Sequence, residues 1–240
     1  RAPPSASAPA VRLATVDPGA IYWQRFGHNA LIIGDDDDAI AYNFGYFDFE
    51  QPDFLPRFLS GRMLYQAVAF PAGEDLAGYA AEQRSVHLQL LDLAPGQARR
   101  LAADLARSVQ PDQRDYLYEY FRANCSTRLR DALDDALDGV LRNQTAGRSR
   151  GFTYRMHALR LAQGLPWMAL GIDLGLGPDA DRRLSFWDEM FIPEVLRRHL
   201  RDVVTANGTP LVLEDGTWFD SGHAPPPELP RNSRTAFALT

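Results

Sequence analysis

At 240 residues with 45% hydrophobic content, the chain is long and apolar enough to bury one substantial core. A formal net charge of −6 without a basic cluster argues against nucleic acid as a partner. One cysteine excludes an internal disulfide, and five scattered histidines show no HExxH or CxxC spacing, so no metal or other cofactor is expected and a thiol is left to carry any covalent chemistry.

The opening Arg1 to Ala10, rich in Ala, Pro and Ser, reads as a linker left by processing or truncation. The expected division is a linker at 1–14, a core at 15–145, a mostly helical extension packed on it at 146–221, and a Pro-rich tail at 222–240. Ile21 to Ile33 reads as a strand whose alternation puts Tyr22, Gln24, Phe26, His28, Ala30 and Ile32 on one face. Gly34 and the aspartates Asp35 to Asp38 follow as a solvated hairpin loop, since the run lacks the spaced ligands and glycine of a calcium loop. Ala39 to Phe47 returns as the second strand. A four-residue loop sets Ala30 opposite Asn43 and His28 opposite Gly45, making Asn43 a diagonal neighbour of His28; a one-residue slip sends Asn43 to the other face.

Pro52 to Ser60 is a short connection, Met63 to Phe70 a third strand, Glu74 to Arg84 a helix, and Val86 to Leu93 a strand. Pro95 to Val109 reads as a helix with proline near its first position, and the next helix begins near Cys125. Beyond Gly147 the pattern is helical at Thr153 to Gln163 and Phe186 to Val204, and Pro210 to Phe219 reads as a hairpin turning at Asp215-Gly216. Leu165 to Gly177 is apolar and glycine-studded but too short and interrupted to span a bilayer, which leaves a buried helix or a membrane-facing lip.

Cys125 lies where Tyr120-Phe121-Arg122-Ala123-Asn124 breaks into an amphipathic helix with Leu129, Ala132, Leu133, Leu137 and Val140 on its apolar stripe. Asn124 is placed to cap it. Unpaired N–H groups and the macrodipole at a helix start favour S⁻ over SH, which suits a nucleophile; the other reading is a small core hydrophobe. His28 is the candidate base, with Gly27 leaving room beside its ring, or else a satisfied core histidine. Asn43 is the candidate to hold the imidazole in one tautomer. The alternating Tyr116, Tyr118 and Tyr120, with Tyr42, Phe44, Tyr46, Phe47 and Phe49, form core or the wall of an acyl groove.

The words Arg25-Phe26-Gly27-His28-Asn29-Ala30, Tyr42-Asn43-Phe44-Gly45-Tyr46-Phe47-Asp48-Phe49, Gly61-Arg62-Met63-Leu64-Tyr65 and Tyr120 to Arg128 occur in one order. With Thr153 to His157 and Trp187 to Glu194, they resemble the periplasmic domain of the Lnb-type bacterial lipoprotein N-acyltransferases over about residues 15 to 213. The resemblance implies an α+β fold with a circularly permuted papain-like core of the NlpC/P60 kind, its antiparallel sheet packed on the cysteine helix. It implies a periplasmic, membrane-associated enzyme that takes an acyl chain from a phospholipid or diacylglyceryl lipid, through a thioester, to a lipoprotein N-terminus. Carried over by motif, Cys125 is the nucleophile and His28 the base, with Asn43 a weaker transfer.

For substrate binding, Tyr22 or Tyr118 is a second oxyanion donor beside the Cys125 N–H, and Tyr120 lines the groove. Arg62, Arg122, Arg128 and Arg155 grip a phosphate headgroup or form surface pairs, Arg128 with Asp131 at i, i+3. His157 covers the site from its helix. The competing readings are a cell-wall cysteine peptidase or amidase, a thiol lipase, and a noncatalytic module with a core cysteine.

Overall fold

The computed structural model describes residues 8–21, 24–47 and 64–225. They form an α+β structure around a seven-stranded antiparallel sheet ordered β6-β4-β3-β2-β1-β5-β7. The strands are β1 (Val11–Val16), β2 (His28–Ile33), β3 (Ile40–Phe47), β4 (Leu64–Pro71), β5 (Val86–Leu91), β6 (Asp115–Leu117) and β7 (Val212–Phe219). Eight α-helices are described: α1 (Ala72–Ala81), α2 (Pro95–Ser108), α3 (Cys125–Ala136), α4 (Val140–Thr145), α5 (Tyr154–Leu161), α6 (Pro166–Gly175), α7 (Phe186–Glu189) and α8 (Pro193–Leu200).

Each face of the sheet has its own core. Val11, Leu13, Leu31, Ile33 and Phe44 pack with Leu101 and Leu105 of α2 and Leu129 and Leu133 of α3. On the other face lie Ala14, Val16, Ala30, Ile32 and Ala41, and α1 packs on them through Ala72 and Leu76. A third cluster, Tyr154, Leu161, Leu184, Phe191, Ile192 and Val195, binds the helical extension together and reaches Phe26 and Phe121.

The expected linker at 1–14 is corrected by β1. Val11 to Val16 pairs with both β2 and β5 in the middle of the sheet. A strand buried on both faces shows no alternation, so Val-Arg-Leu-Ala-Thr-Val lacks the period-two signal of a half-exposed strand. The expected hairpin at 210–219 is corrected too: Asp215-Gly216 is no turn, because β7 runs straight through it along β5, with Asp215 opposite Gln89 and Gly216 opposite Leu88. The strand expected from Ile21 is β2 and starts at His28, and Gln24 to Phe26 form a turn.

The hairpin register is the expected one. Ala30 faces Asn43 and Ile33 faces Ile40 across a turn that holds Asp36–Asp38. Beyond Asn43 the β3–β4 pairing slips by one residue between Phe44 and Tyr46, at Gly45, whose φ of +93° is readily available only to glycine.

Helix α6 is not buried. None of its ten residues is enclosed, and Trp167, Leu170 and Leu174 are 63%, 60% and 78% exposed. An apolar cavity of about 380 Å³ runs along it, lined by Trp167, Met168, Gly171, Ile172, Gly175 and Leu176.

Candidate functional site

Cys125 is the first residue of α3, and the chain before it is fixed by a reciprocal cap. Asn124 Oδ1 accepts from the Thr127 N–H at 2.9 Å while Thr127 Oγ1 accepts from the Asn124 N–H at 2.9 Å. The helix start is also bolted to the segment ahead of α8. Asn124 Nδ2 donates to the Phe191 carbonyl at 2.8 Å and Ser126 Oγ to the Met190 carbonyl at 2.6 Å. The sulfur therefore has little freedom of position.

Three backbone N–H groups favour the thiolate: those of Asn29, Ser126 and Cys125 itself. Asn29 follows His28 directly, so the sulfur is brought to the start of β2. Burial outweighs these donors and pushes the thiol up from its ordinary value. Across the sulfur stands the Gly45 bulge, where an added Cβ would lie 3.7 Å from both Cys125 Cβ and Tyr118 Cε2. Cys125 and His28 each keep part of their surface open to solvent.

His28 Nε2 lies 2.8 Å from Asn43 Oδ1. The amide is held from two more directions, its Nδ2 donating to Asp75 Oδ2 at 3.1 Å and its Oδ1 accepting from the Tyr79 hydroxyl at 3.4 Å. Protein packed around the imidazole lowers its pKa from 6.5 to about 4; the Asn43 bond opposes the shift and the Arg84 charge adds to it. At neutral pH both the imidazole and the thiol are therefore uncharged.

Aromatic side chains enclose this pair. Tyr118 stacks on Tyr65 at 4.1 Å, and Tyr120 meets Phe26 edge-on at 4.8 Å. Burial raises the hydroxyls of Tyr79, Tyr116, Tyr118 and Tyr120, and a charge on Cys125 raises all four further. Tyr118 and Tyr120 are thus close enough to the sulfur to feel its charge.

Other expectations fare differently. Tyr22 and Arg62 lie outside the described residues. Arg128 makes no pair with Asp131, which is held by Arg130 at 2.7 Å, and instead sits over the Tyr116 ring at 4.5 Å, on the outer side of the site. Arg155 spends its donors on Asp181, Asp173 and the carbonyls of Asp173 and Leu176, which fastens the end of α6 and leaves no grip for a headgroup. Arg122 faces Glu119 at 3.7 Å. His157 is completely enclosed between Phe152 and Phe191 beside Glu189, so no substrate reaches it. Sequence reasoning missed Asp75 and Tyr79, although their i, i+4 spacing on α1 was a usable sign that they share one helix face.

The structure is thus an α+β domain with a capped helix that begins at a cysteine and a strand that begins at a histidine held by an amide. The family is identified by direct comparison: the model of the Lnb N-terminal periplasmic domain matches residues 5–159, and the chain belongs to that family. The family is one of periplasmic domains, which supports a periplasmic location. The match ends within α5, short of Trp187 to Glu194, so the likeness traced to about residue 213 is carried by the family model only as far as 159. Comparison with curated proteins and with solved structures gave no match. Among the described residues no helix is long and apolar enough to cross a membrane.

Proposed function

We propose that this domain is a cysteine-dependent acyltransferase on a permuted papain-like core, with Cys125 as nucleophile, His28 as base and Asn43 as the group that orients it. The observation that carries the reading is the bond from His28 to Asn43 at the point where the Asn29 N–H meets the sulfur. In the first half-reaction His28 takes the thiol proton and Sγ attacks the ester carbonyl of a lipid. The C–O bond breaks, the lipid alkoxide leaves with the proton from His28, and a thioester remains. An amine then attacks the thioester, the C–S bond breaks, and the thiolate recovers a proton. N–H groups at the start of α3 stabilise the oxyanion of each step, and aromatic walls that keep water out favour the amine over hydrolysis.

The partners in this reading are a phospholipid or diacylglyceryl donor at a membrane surface and the N-terminus of a lipoprotein as acceptor. The exposed face of α6 supports contact with a lipid surface, and Trp167→Asp is expected to weaken binding to phospholipid vesicles. The deciding test is mass spectrometry after incubation with phospholipid. A gain of one acyl chain on Cys125, discharged by an added amine, is the expected result; cleavage of peptidoglycan peptides with no adduct would establish the amidase instead.

A further inference from the structure

Asn43 presents its oxygen to His28, and nothing in Asn43 itself dictates that choice. An amide can offer either its oxygen or its NH2, and the two ends are nearly identical in shape. The selection is made one shell further out. Asp75 Oδ2, 3.1 Å from Asn43 Nδ2, offers no hydrogen when ionised and so demands the NH2 end. The Tyr79 hydroxyl, 3.4 Å from Asn43 Oδ1, is a donor and seeks the oxygen. Both requirements turn Oδ1 towards His28 Nε2, which must then carry the hydrogen of the neutral ring. The lone pair is left on Nδ1.

We infer that Asp75, with Tyr79 one helical turn later on α1, is a positioning residue that fixes the His28 tautomer by fixing which end of the Asn43 amide faces the ring. This rests on the proposed role of His28 as base, and extends it to a helix on the opposite face of the sheet from the cysteine helix. With the amide reversed, Nε2 would have to accept, the ring hydrogen would move to Nδ1, and the nitrogen available as base would be the one already engaged by Asn43. Position 75 therefore controls the base without touching it. The surrounding charges do not substitute for it, since Arg84 lies over the Tyr79 ring at 5.3 Å and is bound to Glu82 and to the Asp17 carbonyl.

The test uses the purified protein, ¹⁵N-labelled at histidine, at pH 7. In the wild type the His28 signal, identified by its loss in His28→Gln, is expected to show the Nε2–H tautomer. Asp75→Ala should turn it to a mixed or Nδ1–H form and slow iodoacetamide alkylation of Cys125 at least tenfold. Asn43→Asp should abolish the sensitivity, because a carboxylate has no NH2 end to present: in Asn43→Asp/Asp75→Ala the Nε2–H form is expected to return. That rescue is not expected of a residue that merely supports the fold. Should Asp75→Ala fail to fold, Asp75→Glu moves the carboxylate by one methylene and is expected to shift tautomer and rate in the same direction. An unchanged tautomer in the folded variant overturns the inference. If the tautomer shifts as stated but no lipid ever acylates Cys125, the positioning stands and the acyltransfer reading falls.

Discussion

His28 and His157 are the same side chain in two kinds of surroundings. Both are enclosed enough that burial lowers their pKa, so the direction of the shift does not tell them apart. Their partners do. His28 meets a neutral amide at the solvent-accessible start of a strand, beside the residue whose N–H favours the thiolate of the only cysteine in the chain. His157 is fully buried, 3.8 Å from a carboxylate that also gathers Arg150 at 2.6 Å and His199 at 3.8 Å. An amide orients an imidazole and leaves it neutral and basic, whereas a buried carboxylate needs cations and donors around it to remain in the interior. These neighbours hold Glu189 well below the usual carboxylate range even though burial pushes the other way. One ring is held by a neutral amide, and the other lies within a buried cluster of charges.

The sharpest way to break the comparison is to remove each histidine. His28→Gln and Cys125→Ala are expected to lower acyl-adduct formation by about 10³-fold or more, the scale of losing a general base or the nucleophile itself. His157→Gln, measured on folded protein, should leave it within about threefold. A loss in His157→Gln equal to that in His28→Gln would erase the distinction.

The reverse asymmetry is expected in stability. Glu189→Gln leaves the partly exposed Arg150 without its counter-charge and is expected to cost about 3 kcal/mol by urea unfolding. His28→Gln at pH 7 should cost far less, since the ring there is uncharged and bonded to a neutral group.

Acid adds a third contrast, smaller again. His28 takes up its proton near pH 4 in the folded chain and near 6.5 once unfolded, so in that window the unfolded state binds more protons and stability falls as pH falls. The full shift corresponds to an upper bound of about 3 kcal/mol, reduced because solvent still reaches part of the ring. His28→Gln should flatten that part of the pH–stability curve, and the slope that remains between pH 6.5 and 4 is expected to include His157, which shifts in the same direction. An unaltered curve in His28→Gln would mean that the ring titrates alike in the folded and the unfolded chain.

How much of this was readable beforehand follows from how local each constraint is. Asn124 as cap, Cys125 at a helix start and Asn43 across the hairpin from Ala30 depend on neighbours a few positions away or on one loop length, and those were legible. Asp75 and Tyr79 share a helix face by their spacing, but they reach Asn43 only because α1 folds back over the sheet, a long-range fact that the spacing does not carry. β1 was hidden by burial on both faces, and β7 by a turn-like Asp-Gly whose aspartate is instead held by Gln89, Arg197 and Arg201. Helix α6 misled in the opposite sense: its apolar composition calls for a buried helix, yet its outer face is bare.

Asn124 joins the two regions and gives the smallest and most informative effect. Its Oδ1 closes the cap on which Cys125 stands, while its Nδ2 holds the carbonyl of Phe191, two residues beyond Glu189. Asn124→Ala removes these two bonds and a third, from Nδ2 to the Tyr120 carbonyl at 3.0 Å, and loss of the cap costs about 1 kcal/mol, too little to unfold the domain. Asn124→Asp keeps the cap but offers no hydrogen to Phe191 or Tyr120, so it separates the cap from the bonds made by Nδ2. If the bond to the extension is what aims the sulfur, Asn124→Asp should slow iodoacetamide alkylation of Cys125 severalfold while its melting temperature stays near that of the wild type. If the cap alone matters, only Asn124→Ala should be slow, and the Glu189 region would then contribute stability without reaching the nucleophile.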